Sequence, residues 1–387
     1  MSIKVEDYYA PATFQRMKAF ADTQETPFVV IDTSIISKAY DDLRAGFEFA
    51  SVYYAVKANP AVEIIDLLKE KGSSFDIASI YELDKVMSRG VGPERISYGN
   101  TIKKAKDIRY FFEKGVRMFA TDSEADLRNI AKAAPGSKVY VRILTEGSTT
   151  ADWPLSRKFG CQTDMAMDLL ILAHDLGLVP YGLSFHVGSQ QRDISVWDAA
   201  IAKVKVIFER LKQEDGIELK LINMGGGFPA NYITRTNSLE TYAEEIIRFL
   251  KEDFGDELPE IILEPGRSLI ANAGVLVSEV VLVARKSRTA VERWVYVDVG
   301  LFGGLIETMG EAIKFPIYTE KKGEMEEVVI AGPTCDSADI MYENYKYGLP
   351  LNLAIGDRLY WLSTGAYTTS YSAVEFNGFP PLKAFYL

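Results

Sequence analysis

The sequence predicts an α/β fold: a (β/α)8 barrel over residues 34–267, with an antiparallel β domain built from residues 1–33 and 268–387. Three observations carry this. Eight short apolar runs alternate with amphipathic helical stretches over about 240 residues, the count and length of a closed parallel barrel. Past about residue 270 the runs are β-rich and no long helical period separates them. A doubly wound open sheet, the runner-up, would want a glycine-rich turn after its first strand, and VKANPA (56–61) holds no glycine.

The eight runs are VYYAVKAN (52–59), SFDIAS (74–79), ISYGN (96–100), MFATD (118–122), KVYVRILT (138–145), LSFHVGS (183–189), LKLINMGG (219–226) and EIILEPGR (260–267). The first four start 22 residues apart. Between them lie helical patterns such as VEIIDLLKEKG (62–72), DIRYFFEKGV (107–116), MAMDLLILAHDLG (165–177) and LETYAEEIIRFLKEDFG (239–255). The later β-type runs are 275–287, 293–300, 326–332, 351–362 and 372–379. PFVVIDT (27–33) either pairs with them or leads into the barrel.

Composition narrows the classes of function. Of 387 residues, 48 % are apolar and 25 % charged, which excludes a disordered or collagen-like chain. Two cysteines, Cys161 and Cys335, exclude a disulfide scaffold. With only His174 and His186 beside them, no metal site is expected. The net charge of −11 makes nucleic acid a poor partner. The start MSIKVEDYYA lacks the pattern of a signal peptide, and no apolar stretch is long enough to span a membrane. A cytoplasmic protein is the expectation.

Barrels concentrate chemistry at the C-terminal ends of their strands. Those ends carry Lys57, Asp76, Asn100, Arg142, His186 with Ser189, Gly225–Gly227, and Glu264 with Arg267. Three glycines let backbone N–H groups approach an anion, and Arg267 one strand later supplies a charge-assisted clamp, so the last two strands read as a phosphate site. A lysine of lowered pKa forms Schiff bases with carbonyl compounds. A phosphate pocket, a lysine and a carboxylate on one rim are the needs of pyridoxal 5′-phosphate, with Glu264 as candidate partner of the ring nitrogen. His186 reads either as a satisfied core histidine or as a group that stacks on or orients the ring.

AVKAN (55–59), FDIAS (75–79), SFHVGSQ (184–190), NMGGGFP (223–229), EPGR (264–267), GPTCDSAD (332–339) and GAYTTSYS (365–372) resemble the pyridoxal-phosphate-dependent basic amino-acid decarboxylases of the alanine-racemase-like fold, ornithine decarboxylases most closely. The resemblance spans about residues 27–380. It implies decarboxylation of L-ornithine to putrescine and CO2, the first committed step of polyamine synthesis, by way of a Lys57 Schiff base. It implies that Glu264 pairs with the pyridine nitrogen, that His186 stacks on the ring, and that Ser189, Gly225, Gly226, Gly227, Arg267 and Tyr367 hold the phosphate. Asp76 and Arg142 become supporting charges near the ring and lysine. Cys335 and Asp336 are implied to reach into the other subunit of a head-to-tail homodimer. There Cys335 protonates Cα, Asp336 receives the distal ammonium, and Phe376 contributes at the same interface.

Specificity is less sharply written. Diaminopimelate decarboxylases of this family tend to show Cys-Glu-Ser where this chain has Cys335-Asp336-Ser337, which favours a distal ammonium. A gapless alignment of DVGLFGG (298–304) puts Glu311 where ornithine decarboxylases carry a substrate-binding Asp, longer by one methylene. Lysine, arginine or diaminopimelate decarboxylation, a related racemase, and a non-catalytic pyridoxal-phosphate-binding regulator remain the alternatives.

Overall fold

The computed structural model describes residues 3–145, 150–153 and 158–387. The chain divides into two compact units: Ser37–Pro229 with Asn237–Ser268, and Met1–Ile36 with Ala230–Thr236 and Leu269–Leu387. The first strand, β1 (Phe28–Ile31), belongs to the second of these.

The first unit is a closed barrel of eight parallel strands. They are β2 (Ala50–Ala55), β3 (Ser74–Ile77), β4 (Ile96–Tyr98), β5 (Met118–Thr121), β6 (Lys138–Arg142) and, past the short β7 (Ala151–Trp153), β8 (Val179–Ser184). After β9 (Ser189–Gln191), which pairs antiparallel with β7, come β10 (Leu221–Asn223) and β11 (Glu260–Leu263). β11 closes onto β2, with Ile261 opposite Ala50. Each expected run overlaps a strand, and the chemistry-bearing residues fall at its end or just beyond it, Asp76 one residue before the end of β3.

The strands form because both of their faces are covered, so near-continuous apolar runs suit them better than alternation. Tyr53, Ala120, Tyr140, Tyr181, Leu221 and Ile262 fill the barrel interior. Outside, the helices turn apolar stripes inward. In Leu239–Phe254, the buried residues Tyr242, Ala243, Ile246, Phe249 and Leu250 repeat at helical spacing. Ser238 caps that helix by accepting the Thr241 N–H, and Gly255 ends it at φ 73°. Ile246→Ala would cost about 2–5 kcal/mol. The helix Ile80–Ser88 opens with a box: Ser79 accepts the Glu82 N–H, and the Glu82 carboxylate accepts that of Ala78.

The second unit is a sheet of β1 with β12 (Gly274–Ala284), β13 (Arg293–Val297), β14 (Ile317–Tyr318), β15 (Met325–Ala331), β16 (Ile340–Pro350), β17 (Arg358–Leu362) and β18 (Lys383–Tyr386). The order is β14-β17-β12-β13-β15-β16, with β1 joining β12 and β18. Most pairs are antiparallel, but β1–β18 and β13–β15 are parallel, so the sheet is mixed. β1 settles the open question about residues 27–33 by pairing with β12. The core here gathers Tyr9, Phe14, Met17, Phe28, Val275, Val277 and Tyr360.

Two expected runs change. Residues 351–357 form turns, and the strand starts only at Arg358. Residues 372–379 are not a strand: Glu375 and Asn377 sit at φ 58° and 52°, which breaks an extended chain. Conversely, β16 carries Glu343, Asn344 and Lys346 among its tyrosines, and this polar content hid an eleven-residue strand.

Candidate active site

The C-terminal ends of the barrel strands place the expected residues as follows. Lys57 lies in a single 3-10 turn, Val56–Ala58, just past β2. Its Nζ is 3.9 Å from Asp76 Oδ2 on β3, and the lysine side chain is 47 % exposed against 6 % for the aspartate. Lys57 is therefore exposed, and the Asp76 carboxylate faces it. Asp76 Oδ1 is buried with no hydrogen-bond partner among the described residues. Burial raises the Asp76 pKa, while the Lys57 and Arg142 charges oppose the rise. Gly99 leaves the space this carboxylate needs: a Cβ there would come within 1.9 Å of Oδ1.

Glu264 follows β11 and meets the Asn223 amide, whose Nδ2 donates to Oε1 at 2.5 Å. Burial, then repulsion from Asp76, pushes its carboxyl up to about 7, against the pull of Lys57, Asn223 and Arg142. The Asn223 side-chain oxygen accepts the Gly225 N–H at 2.9 Å. One fully buried amide thus ties the carboxylate to the glycine loop. Sequence reasoning missed Asn223, which reads as an ordinary turn residue; its position at the end of an apolar strand was the available signal.

His186, just past β8, accepts the Gly188 N–H at Nδ1, 3.0 Å away. Burial, then the Arg142 and Lys57 charges, holds its pKa well below the usual value. The ring is neutral near pH 7, and with Nδ1 accepting, its proton is assigned to Nε2. Arg142 ends β6 and stacks over the Phe159 ring at 4.9 Å. Its own pKa is lowered by burial, opposed by Glu264, Asp122 and Asp76.

Arg267, only 3 % exposed, donates from Nε to Ser189 Oγ at 3.0 Å. Beside them, Gly225 and Gly227 take φ 63° and 100°. A Cβ on Gly225 would meet the Phe185 carbonyl at 2.4 Å, and one on Gly226 the Glu264 carbonyl at 2.6 Å. Bare backbone is thus the only chain that fits this turn.

Five expected residues lie in the sheet unit. Tyr367 is half-buried at φ 54°. Cys335 and Asp336 are exposed in the turn between β15 and β16. Cys335 donates its N–H to Asn377 Oδ1 at 2.8 Å, and Asp336 accepts the Ala338 N–H. The Phe376 ring packs on Phe302, centroids 4.7 Å apart. Glu311 departs from expectation. Its two carboxylate oxygens accept the N–H groups of Glu343, Asn344 and Tyr345 at 2.6–3.0 Å. Burial pushes its pKa up, but these bonds outweigh it and hold the carboxyl below the usual value. Glu311 is thus a clamp on β16, a backbone partnership that the substrate-ammonium role expected of it did not foresee.

The rim fits pyridoxal 5′-phosphate. The orphaned Asp76 oxygen awaits a donor, the carboxylate of raised pKa awaits a cation, and an arginine–serine–glycine pocket suits a dianion. Among the described residues, no three acidic, histidine or cysteine side chains could hold a metal ion. Nor is any helix among them long and apolar enough to cross a membrane. A lysine beside a carboxylate, both at the mouth of a parallel barrel with an anion pocket, defines the class of barrel enzymes that work through pyridoxal phosphate.

Comparison with known proteins narrows the class. The model of the pyridoxal-binding domain of pyridoxal-dependent decarboxylases matches residues 33–271, and the chain belongs to that family. It is 33 % identical over 366 residues to the lysine/ornithine decarboxylase of Selenomonas ruminantium, covering 94 % of this chain and 90 % of that one. The solved lysine/ornithine decarboxylase from Vibrio vulnificus, complexed with cadaverine, superimposes with a TM-score of 0.87 at 28 % identity, covering 98 % of this chain and 99 % of that one. Antizyme inhibitor 2 of Xenopus laevis is also similar, 33 % identical over 347 residues that cover 84 % of this chain and 73 % of that one.

Proposed function

We propose that the protein decarboxylates L-ornithine to putrescine and CO2, as a head-to-tail homodimer. The observation that carries the catalytic reading is the completeness of the rim: Lys57 against Asp76, Glu264 on Asn223, and Arg267 on Ser189. A regulator freed from catalysis has no need of a lysine held against a carboxylate.

Arg267, Ser189 and the N–H groups of Gly225–Gly227 would bind the cofactor's phosphate, with Tyr367 as a further contact. Lys57 Nζ would bind its aldehyde and give way to the substrate amine. Bound pyridoxal 5′-phosphate supplies an electron sink for the pair left when the α-carboxylate departs as CO2. Glu264 would hold a proton on the ring nitrogen, and the amide of Asn223 keeps that carboxylate aimed. His186, neutral and oriented by the Gly188 N–H, would pack on the ring without adding charge. Arg142 and Asp76 would balance the charges of Glu264 and Lys57. Cys335 Sγ of the second subunit would give the proton to Cα, Asp336 would receive the distal ammonium, and Phe376 would line the same interface.

Asp336 supports a substrate with two ammonium groups. Its exposed position leaves its carboxylate accessible to such a cation. The test is product identification by mass spectrometry. Purified protein with added cofactor is offered L-ornithine, L-lysine, L-arginine and meso-diaminopimelate separately. Putrescine from ornithine, with little from the others, is the expected result. Dominant cadaverine, agmatine or lysine overturns the substrate assignment and keeps the chemistry. No product from any tube overturns the decarboxylase reading in favour of the racemase or the regulator.

A further inference from the structure

The turn that carries Cys335 is held from two sides. On one side, Asp339, 2 % exposed, accepts at Oδ2 both the N–H and the hydroxyl of Thr334, at 3.1 and 2.7 Å. Its Oδ1 accepts the Leu301 N–H at 2.8 Å. This carboxylate therefore joins the loop after β13 to the loop after β15. The approach is close enough to require glycine twice: a Cβ on Gly300 or Gly332 would lie 2.0 or 2.4 Å from Asp339 Oδ1. On the other side, Asn377 Oδ1 accepts the N–H of Cys335 itself, across 42 residues of sequence.

Asn377 is suited to that task in backbone as well as side chain. It sits at φ 52°, ψ 24°, a left-handed conformation that asparagine adopts more readily than most residues. Its segment is anchored in turn. The Phe376 ring packs on Phe302, and Ala373 donates its N–H to the Phe302 carbonyl at 2.8 Å. Thr334 is thus fixed from the protein interior and Cys335 from the C-terminal segment, one residue apart.

We infer that Asn377 is a positioning residue for Cys335: by holding the cysteine's backbone N–H, it sets where the thiol is presented. Asp339 sets the base of the same turn. The inference rests on the reading of Cys335 as the group that protonates Cα. A proton donor displaced by about 1 Å can lose about 100-fold in rate, so a single backbone bond beside the donor matters.

The experiment compares Asn377→Gly with Asn377→Asp. Glycine keeps the left-handed backbone and deletes the acceptor; aspartate keeps both. Thermal melting confirms that each variant folds, and Asn377→Ser, whose oxygen lies one bond nearer the backbone, serves as a second deletion. The first readout needs neither cofactor nor substrate: the rate of iodoacetamide alkylation at Cys335, followed by peptide mass spectrometry, with buried Cys161 as internal control. The second is the kcat–KM split and the solvent deuterium isotope effect on amine formation by the loaded wild type and variants. We expect Asn377→Gly to change the Cys335 alkylation rate at least ~3-fold and to lower kcat by ~10- to 100-fold with KM nearly unchanged. The isotope effect should rise as proton delivery becomes limiting, and Asn377→Asp should restore all three. Wild-type alkylation and kcat in Asn377→Gly, or equal damage in glycine and aspartate variants, overturns the inference. If the wild type forms no amine, the proposed function fails, and the alkylation arm still decides whether Asn377 sets the thiol.

Discussion

The barrel rim and the Cys335 turn are built by opposite means. On the rim, side chains from strand ends are packed so that charge shapes charge: Asp76 and Glu264 are both raised by burial, and His186 is kept neutral. The Cys335 turn stands exposed, and its order comes from single side chains bonded to backbone, Asp339 on Thr334 and Asn377 on Cys335. A rim of that kind tunes protonation; a turn of that kind tunes position. Substitutions should therefore show up as changes in proton affinity on the rim and as changes in geometry on the turn.

The largest effect expected is on the rim. Lys57→Ala should lower turnover by more than about 10⁴-fold and remove the visible absorption of a lysine-bound cofactor, both read on one purified sample. Glu264→Gln should cost about 10²- to 10³-fold in kcat, because a neutral amide no longer favours a protonated ring nitrogen. The same variant reports on pH. The folded-state pKa of Glu264, near 7, lies above the ordinary 4.5. Its contribution to stability is thus present below about pH 4.5 and lost as pH rises through about 7. Cofactor-free Glu264→Gln should melt above the cofactor-free wild type at pH 8 and match it near pH 4.5. A pair of melting curves that never diverge would mean that the carboxylate is already ionised and comfortable.

The smallest effect belongs to the sheet unit. Glu311→Gln should cost about 1 kcal/mol of stability by weakening the clamp on residues 343–345, with KM for the preferred substrate unchanged within about 3-fold. A large rise in KM with no loss of stability would return Glu311 to the substrate.

The same contrast explains what the sequence disclosed. Barrel strands announced themselves as apolar runs, because both of their faces are buried, and the rim followed as whatever polar residue ended each run. Lys57, Asp76, His186 and Glu264 were legible in that way. Asn223 was not, since an asparagine before glycines looks like turn chemistry. The turn contacts were harder still. Asp339 and Asn377 act through hydrogen bonds to backbone far away in sequence, and no periodicity records such a bond. β16 was hidden by its charged residues, and 372–379 was misread because left-handed residues are invisible to a hydropathy pattern.

Both regions are tested at once by mixing two inactive homodimers, Lys57→Ala and Cys335→Ala, under conditions of subunit exchange. If rim and turn come from different subunits of one shared site, a hybrid dimer holds one intact site, and decarboxylation should reappear in the mixture while each parent stays silent. Verified exchange with no recovery of activity would contradict the shared site and the division of labour between rim and turn.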